Sequence, residues 1–320
     1  MGINVLSLFD GISCGQVALE RSGIKVEQYY ASEIKEDGIK VTMDNYPNTI
    51  QLGNVKNINA SDLPEIDLLI GGSPCQDLSI AMKNREGLKG KKSELFFEYL
   101  RILKEVKPKY FLLENVARMS KEDKDIITNL MGVEPIRINS KLVSAQLRDR
   151  LYWTNIPGVQ QPEDKEISLI NILENGFTNR EKSRAILESE SRPLKNQERM
   201  WKRYSKTGFT TVVFNSIDLD QLKGLRYFTQ TELERLQTLP DGYTKVLTRN
   251  KAAGCIGDGW TVDMIAHILK GLKDHPRSLT IDRPYSYKMR EAVKTGEAIV
   301  EKGKPKILYK YEIKRKTHKN

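Results

Sequence analysis

Ile66-Asp67-Leu68-Leu69-Ile70-Gly71-Gly72-Ser73-Pro74-Cys75-Gln76 is the stretch on which the fold turns. Its apolar first half reads as a buried strand, and the paired glycines let the chain turn sharply where that strand ends. Cys75 therefore falls at the carboxyl end of a strand, where open α/β sheets collect their ligands. A thiol at such a rim, followed by a loop and not by a second cysteine, is a candidate nucleophile, because thiolates attack well and leave well. The alternative is a small buried core residue, the ordinary fate of a free cysteine. The sequence on either side bears on the choice.

Upstream, Ile3-Asn4-Val5-Leu6-Ser7-Leu8 is a short apolar strand, Phe9-Asp10-Gly11-Ile12-Ser13-Cys14-Gly15 a glycine-containing turn, and 16–21 a helix closed by Ser22-Gly23. Strand, turn and helix in this order open a doubly wound nucleotide-binding fold. The turn lacks the GxGxxG spacing, so a dinucleotide is not indicated and a smaller adenosine-containing ligand is the better expectation. The next strand, over 28–31, ends in Ser32-Glu33, an acid placed where such folds hydrogen-bond ribose hydroxyls. Read blandly, Glu33 is a solvated residue at the start of a helix over 35–45. Gly53-Asn54-Val55 closes another short strand, and the Asn54 amide carries both the donor and the acceptor an adenine edge requires.

Downstream, 77–92 has neither helical nor strand period and carries Lys83, Arg85, Lys89, Lys91 and Lys92 between the hinge candidates Gly87 and Gly90. A long basic loop beside a nucleophile fits a lid over a phosphate-bearing substrate, or else a solvated connector. Ser93 caps a helix with Leu95, Phe96, Tyr99, Leu100 and Leu103 on one face. Tyr110-Phe111-Leu112-Leu113 is the next buried strand, and it delivers Glu114-Asn115-Val116 to the rim that holds Cys75. An acid there, among apolar neighbours, suits proton donation to a substrate. Ser120 caps a further helix, 133–138 is a strand, and Gln146-Leu147-Arg148-Asp149-Arg150 leads into Leu151-Tyr152-Trp153-Thr154. Two arginines at alternate positions beside a strand share a side, so Arg148 and Arg150 are expected to converge on one anionic or carbonyl-bearing group. A solvent-facing strand edge is the competing reading.

The character changes after Pro157. Positions 160–223 are polar and poorly periodic, with a basic and aromatic cluster of Arg192, Lys195, Arg199, Trp201, Lys202, Arg203, Tyr204 and Lys206, which reads as a second, smaller domain. Interleaved basic and aromatic residues suit phosphates with some base contact, although a helix with a solvated basic face looks the same. Thr229 with Glu232 starts a capped helix within 226–240, and Gly257-Asp258-Gly259-Trp260-Thr261-Val262 precedes a last apolar helix over 262–272. The tail beyond Pro276 is strongly basic, with a strand expected only over 306–313.

Of the 320 residues 39% are hydrophobic, enough for a substantial core, and the formal charge of +10 favours a polyanionic partner. Three widely spaced cysteines, Cys14, Cys75 and Cys255, make neither a disulfide framework nor a zinc site, which fits a reducing compartment. No apolar run approaches the roughly 20 residues of a membrane helix, and the chain opens on a strand without a basic-then-apolar leader. A soluble, intracellular protein is expected.

With these residues assembled, the chain resembles the DNA (cytosine-5) methyltransferases. The resemblance covers 3–272 and rests on ordered motifs: Phe9-Asp10-Gly11, Glu33, Pro74-Cys75-Gln76, Glu114-Asn115-Val116, Gln146-x-Arg148-x-Arg150, the 226–240 helix and the Gly257 to Val262 turn. Some stretches are similar to the catalytic domain of the animal de novo enzymes, whereas the compact size is more like a bacterial or phage enzyme. The resemblance implies an α/β, doubly wound Rossmann-like catalytic domain over 1–157 plus 255–276, a target-recognition domain over 158–254 and a basic extension over 277–320. It implies that Cys75 adds to C6 of a flipped-out cytosine, with Glu114 on the N3 and N4 edge and Arg150, supported by Arg148, on the base oxygen. S-adenosyl-L-methionine would lie over Phe9, Asp10, Gly11, Ile12 and Gly15, with Glu33 and Ile34 at its ribose, Asn54 and Val55 near its adenine, Pro74 and Leu95 against it, and Asp258 and Trp260 at its methionine end. Ser79, Ile80, Lys83, Arg85 and Lys89 of the loop, and Arg199, Lys202 and Arg203 of the small domain, would face double-stranded DNA. A cytoplasmic, nucleoid-associated protein follows, monomeric by preference, with a cognate restriction endonuclease or as an orphan. Asn54 stands where the family usually has Asp, and Asp258 where bacterial members usually have Asn; the second substitution is expected to weaken or reorient the cofactor contact.

Three other readings compete. A transfer RNA methyltransferase of the same chemistry would carry a Cys-Phe-Thr motif in its small domain, and no cysteine lies between Cys75 and Cys255. A non-catalytic DNA-binding regulator would be expected to have lost Cys75, Glu114 or Arg150. A nicotinamide enzyme is disfavoured by the missing GxGxxG.

Overall fold

The computed structural model describes residues 2–74, 94–187, 191–207, 212–215, 224–274, 295–301 and 304–310. The loop expected over 77–92, with Cys75 before it, lies outside these residues.

A seven-stranded sheet organises the described chain, in the order β3-β2-β1-β4-β5-β8-β6. Its strands are β1 (Ile3–Leu8), β2 (Val26–Ser32), β3 (Ile50–Gln51), β4 (Leu68–Gly71), β5 (Tyr110–Val116), β6 (Ile136–Asn139) and β8 (Asp149–Thr154), with β7 (Gln146–Leu147) in a separate small sheet. β3, β2, β1, β4 and β5 run parallel, and β8 enters antiparallel to both β5 and β6. The chain winds outward from β1 to β3, then crosses back to place β4 on the other side of β1. Strand order reverses there, and a crevice opens beyond the carboxyl ends of β1 and β4.

Burial explains why these segments are strands. All seven residues of β5 and all four of β4 are buried, as a parallel sheet covered on both faces requires. The covering helices are α1 (Cys14–Arg21), α2 (Glu36–Asn45), α3 (Glu94–Val106) and α4 (Lys121–Met131). α3 buries Phe96, Tyr99, Leu100, Ile102 and Leu103. Ser120 caps α4 by accepting from the Asp123 amide, and Gly132 closes it in the left-handed region at φ 72°, the pairing of start and stop signals the sequence carries.

Beyond β8 come β9 (Ser183–Arg184), which pairs with β7, then α5 (Gln197–Thr207), β10 (Val213–Phe214), β11 (Leu225–Arg226), α6 (Gln230–Leu236), α7 (Arg249–Asp258) and α8 (Val262–Asp274). Arg226 belongs to β11 and not to the helix expected from 226 onward; α6 begins after Thr229, whose hydroxyl and amide form a reciprocal capping box with Glu232. Gly53-Asn54-Val55 likewise does not close a strand: β3 ends at Gln51, and Asn54 caps a short 3-10 turn, Val55–Asn57. The main core runs from Val5 and Leu68 through Ile172, Ile186 and Val213 to Leu233, Ile256 and Leu269, so the middle of the chain shares it. A smaller cluster joins Met200 and Tyr204 of α5 to Val212, Phe214 and Leu225. A separate unit, residues 280–320, contains the antiparallel hairpin of β12 (Thr295–Glu301) and β13 (Lys304–Lys310).

Candidate active site

The turn after β1 holds three left-handed residues within five positions. Phe9, Gly11 and Ser13 all take positive φ, 58°, 62° and 56°. For a phenylalanine that conformation costs free energy and persists only where neighbours hold it. Here the holding groups are acidic. Asp10 accepts from the hydroxyls of Ser13 and, at 2.8 Å, Tyr29. Glu33, at the end of β2, accepts from the Gly11 amide at 2.8 Å and from the amides of Ile34 and Lys35 at 2.7 and 2.8 Å. Burial pushes the Asp10 carboxyl above its ordinary range, against the hydrogen bonds from Ser13, Ser7 and Tyr29 that favour the anion.

At the next strand end, Ser73 and Asn115 lock two rims together. Asn115 follows Glu114 on β5 and donates from its buried amide to the Ser73 carbonyl at 3.2 Å and the Ser73 hydroxyl at 3.1 Å. The turn that runs into Pro74 is thereby tied to the strand carrying the acid. Glu114 itself is not among apolar neighbours. Its Oε1 lies 2.6 Å from Arg150 Nε, and its Oε2 accepts from the Trp260 indole N–H at 3.2 Å. The space is close: a Cβ on Gly72 would come within 2.9 Å of that indole nitrogen and 3.0 Å of the Glu114 carboxylate.

Arg148 does not join Arg150. Its side chain is buried and donates to the Gly259 carbonyl at 2.8 Å and the Gly257 carbonyl at 3.3 Å. The expectation of convergence fails because Arg148 stands in the break between β7 and β8, so the alternation of a continuous strand does not apply to it.

The remaining predicted cofactor residues divide. Phe9, Asp10, Gly11 and Glu33 are half-buried just past the carboxyl ends of β1 and β2, and Pro74 and Leu95 are half-buried as well. Ile12, Val55 and the close-packed Gly15 are core positions, and Ile34 is 68% exposed. Asn54 is exposed and uses its carbonyl to accept from the Lys56 amide at 3.0 Å. Asp258 is exposed and pairs with Lys35 at 2.6 Å. In α5, Trp201 and Tyr204 pack against Phe214, so these aromatics belong to a core cluster, while Arg199 and Lys202 are exposed and Arg203 is half-buried. Cys75, Ser79, Ile80, Lys83, Arg85 and Lys89 lie outside the described residues. Burial pushes the thiol of Cys14 up to about 12 and that of Cys255 up to about 11, so neither is a ready thiolate. Asn115, Gln146, Gln237 and Trp260 all stand within the quoted motifs, but the sequence carries no signal for the Asn115 clamp on Ser73 or for the Trp260 indole as a partner of Glu114.

The model of the C-5 cytosine-specific DNA methylase family matches residues 3–154. Among similar proteins are the orphan methyltransferase M.SPRI of Bacillus phage SPR, 36% identical over 166 residues, covering 48% of this chain and 38% of the relative. The type II methyltransferase M.NlaIV of Neisseria lactamica is 36% identical over 197 residues, covering 55% of this chain and 46% of the relative. The chain thus spans less than half the length of these two relatives. The Entamoeba histolytica methyltransferase EhMeth shares the fold at a TM-score of 0.68 and 18% identity, covering 86% of this chain and 98% of that one. A Spodoptera frugiperda DNMT2 variant does so at 0.61 and 17%, covering 85% and 100%. With its motifs at the strand ends of a shared fold and residues 3–154, just under half of its length, matched by the family model, the chain is similar to the C-5 cytosine-specific DNA methylase family.

Proposed function

We propose that the protein methylates C5 of a flipped-out cytosine in duplex DNA, by way of a covalent bond between Cys75 Sγ and C6. The observation that carries this reading is Glu114 held by Arg150 and Trp260 at the end of β5, beside a turn into Pro74 that Asn115 clamps. In this reading the Cys75 thiolate adds to C6 and makes C5 nucleophilic. Glu114 hydrogen-bonds the N3 and N4 edge, offsetting the electron demand of the ring, and the Arg150 guanidinium, already 2.6 Å from Glu114, holds the base oxygen. After C5 is methylated, loss of its proton expels the thiolate and restores Cys75.

The crevice suits S-adenosyl-L-methionine. A Cβ built on Gly11 or Gly53, at the mouths of β1 and β3, meets nothing within 4 Å, so open space adjoins both positions, and the Gly11 amide is held by the Glu33 carboxylate. Glu33 would accept from ribose hydroxyls with lone pairs left over from its amide contacts, Asn54 would meet the adenine with its amide N–H, and Trp260 would border the reactive end. When bound, the group supplies the electrophilic methyl.

Base-resolved methylation of a random-sequence duplex, beside a Cys75→Ser control, tests the proposal. C5-methylcytosine in one short context, absent from the control, is the expected result. DNA bound but unmodified by both proteins would overturn it in favour of a binding role, and methylation confined to transfer RNA would overturn the duplex substrate.

A further inference from the structure

We infer that Gln237, which directly follows α6, is a positioning residue that sets the Glu114 carboxylate through Trp260. The inference rests on the proposed role of Glu114. Gln237 is fully buried and every polar atom of its amide is used. Its Nε2 donates to the carbonyls of Ile256 at 2.9 Å and Gly259 at 3.1 Å. Its Oε1 accepts from the Thr261 hydroxyl at 2.8 Å and from Gln146 Nε2 at 3.2 Å. Gly259 and Thr261 are the two residues flanking Trp260, so one side chain brackets the tryptophan from both sides. The Gln237 carbonyl adds a third tie by accepting from the Val262 amide at 2.9 Å.

The same bracket reaches back to the segment just before β8, the strand that carries Arg150, the other partner of Glu114. Gln146 joins Gln237 from β7, and Arg148 shares the Gly259 carbonyl with it. Glu114 is thus approached along two routes: by Arg150 directly on Oε1, and by the Trp260 indole on Oε2, whose neighbour Gly259 is held by Arg148 and by Gln237, the latter joined in turn by Gln146. Trp260 has little room to choose its own position, because Gly15 and Gly72 lie beneath it with Cβ positions 3.7 and 2.9 Å from the ring. A buried amide that fixes a backbone turn in this way specifies geometry as well as stability.

Tests on the full chain use Gln237→Leu, Trp260→Phe, which keeps the ring face and removes the N–H, and their combination. Each single variant is expected to lower kcat about tenfold, the effect of one hydrogen bond to a charged group. The double variant is expected to be no slower than Trp260→Phe alone, since both act on one contact. Multiplicative losses, or a Gln237→Leu enzyme with unchanged kcat, would overturn the inference. Fluorine NMR of 5-fluorotryptophan protein reads the same question without activity: the Trp260 line, assigned by its loss in Trp260→Phe, should shift or broaden in Gln237→Leu, and an unmoved line would overturn the inference. Should Gln237→Leu not fold, Thr261→Val removes one arm of the bracket, and the line should move in the same direction. If the wild-type chain leaves DNA unmethylated, the proposed function fails while the fluorine measurement still decides the role of Gln237.

Discussion

Asn115 illustrates how much a single amide does at this rim. It shares a motif with Glu114, but the acid faces the crevice while the amide donates twice to Ser73, two residues before Cys75. Asn115→Ala should cost about 1–3 kcal/mol in stability by leaving the Ser73 carbonyl buried without that donor, and should slow alkylation of Cys75 or methylation at least about tenfold. Urea unfolding and iodoacetamide labelling measure the two effects; full stability with unchanged labelling would deny the clamp. Lys35 is the second instructive residue. Sequence alone leaves Asp258 as a bare carboxylate at the expected methionine end of the cofactor, whereas the structure pairs it with Lys35 at 2.6 Å. The partner was illegible because 223 positions separate the two residues. An exposed pair of this kind contributes little to stability, so its effect should appear in binding. Lys35→Met is expected to weaken S-adenosyl-L-methionine binding about two- to fivefold, and Asp258→Asn in the same chain to restore it. Calorimetric titration checks this, and equal affinities in all three proteins would remove the pair from the site.

The strands and helix caps could be read because their signals are local: unbroken apolar runs for β4 and β5, Ser120 and Thr229 with acids placed to cap. α7 could not. Its sequence, Arg-Asn-Lys-Ala-Ala-Gly-Cys-Ile-Gly-Asp, has two glycines and a weak apolar stripe, and it is a helix because Ala252, Ala253 and Ile256 pack into the main core. The place of Arg148 is illegible for a related reason, since the one-residue gap between β7 and β8 leaves no mark in the sequence. The junction of α2 with the first turn offers a test with opposing signs. Replacing Gly38 by alanine inside α2 would by propensity alone stabilise the helix by about 1 kcal/mol. Yet a Cβ there would sit 2.5 Å from the Gly11 carbonyl oxygen and 3.2 Å from its carbon, both backbone atoms that cannot rotate away. Gly38→Ala is therefore expected to destabilise by about 1–3 kcal/mol net and to weaken cofactor binding about tenfold or more by pushing the Phe9 to Gly11 turn aside. A variant with a raised melting temperature and unchanged affinity would show that α2 does not support the turn.

At the scale of the whole molecule, charge is distributed less evenly than the total of +10 conveys. Positions 280–320 hold twelve Lys and Arg against five Asp and Glu, so seven of the ten excess charges lie in the smaller unit. The larger unit, 1–279, contains the crevice, Glu114, Arg150 and the exposed Arg199 and Lys202 of α5, and is left with a formal excess of three. If duplex DNA is the substrate, the two units should contribute differently to binding. Contacts to phosphates release counterions, and each lowers the slope of log Kobs against log salt by about 0.9. A chain ending at Leu279 is expected to bind duplex DNA with a slope shallower by about 2 or more, and with reduced affinity at low salt. Its kcat on saturating DNA should be unchanged, because every group assigned to the reaction lies before that point. Arg199→Ala with Lys202→Ala should reduce the slope by a further amount of about 2 if α5 lies along the backbone. Fluorescence anisotropy across a salt series measures both. Equal slopes for the full and shortened chains would assign the phosphate contacts to the larger unit despite its smaller charge, and α5 with the basic positions near Cys75 would then have to supply them.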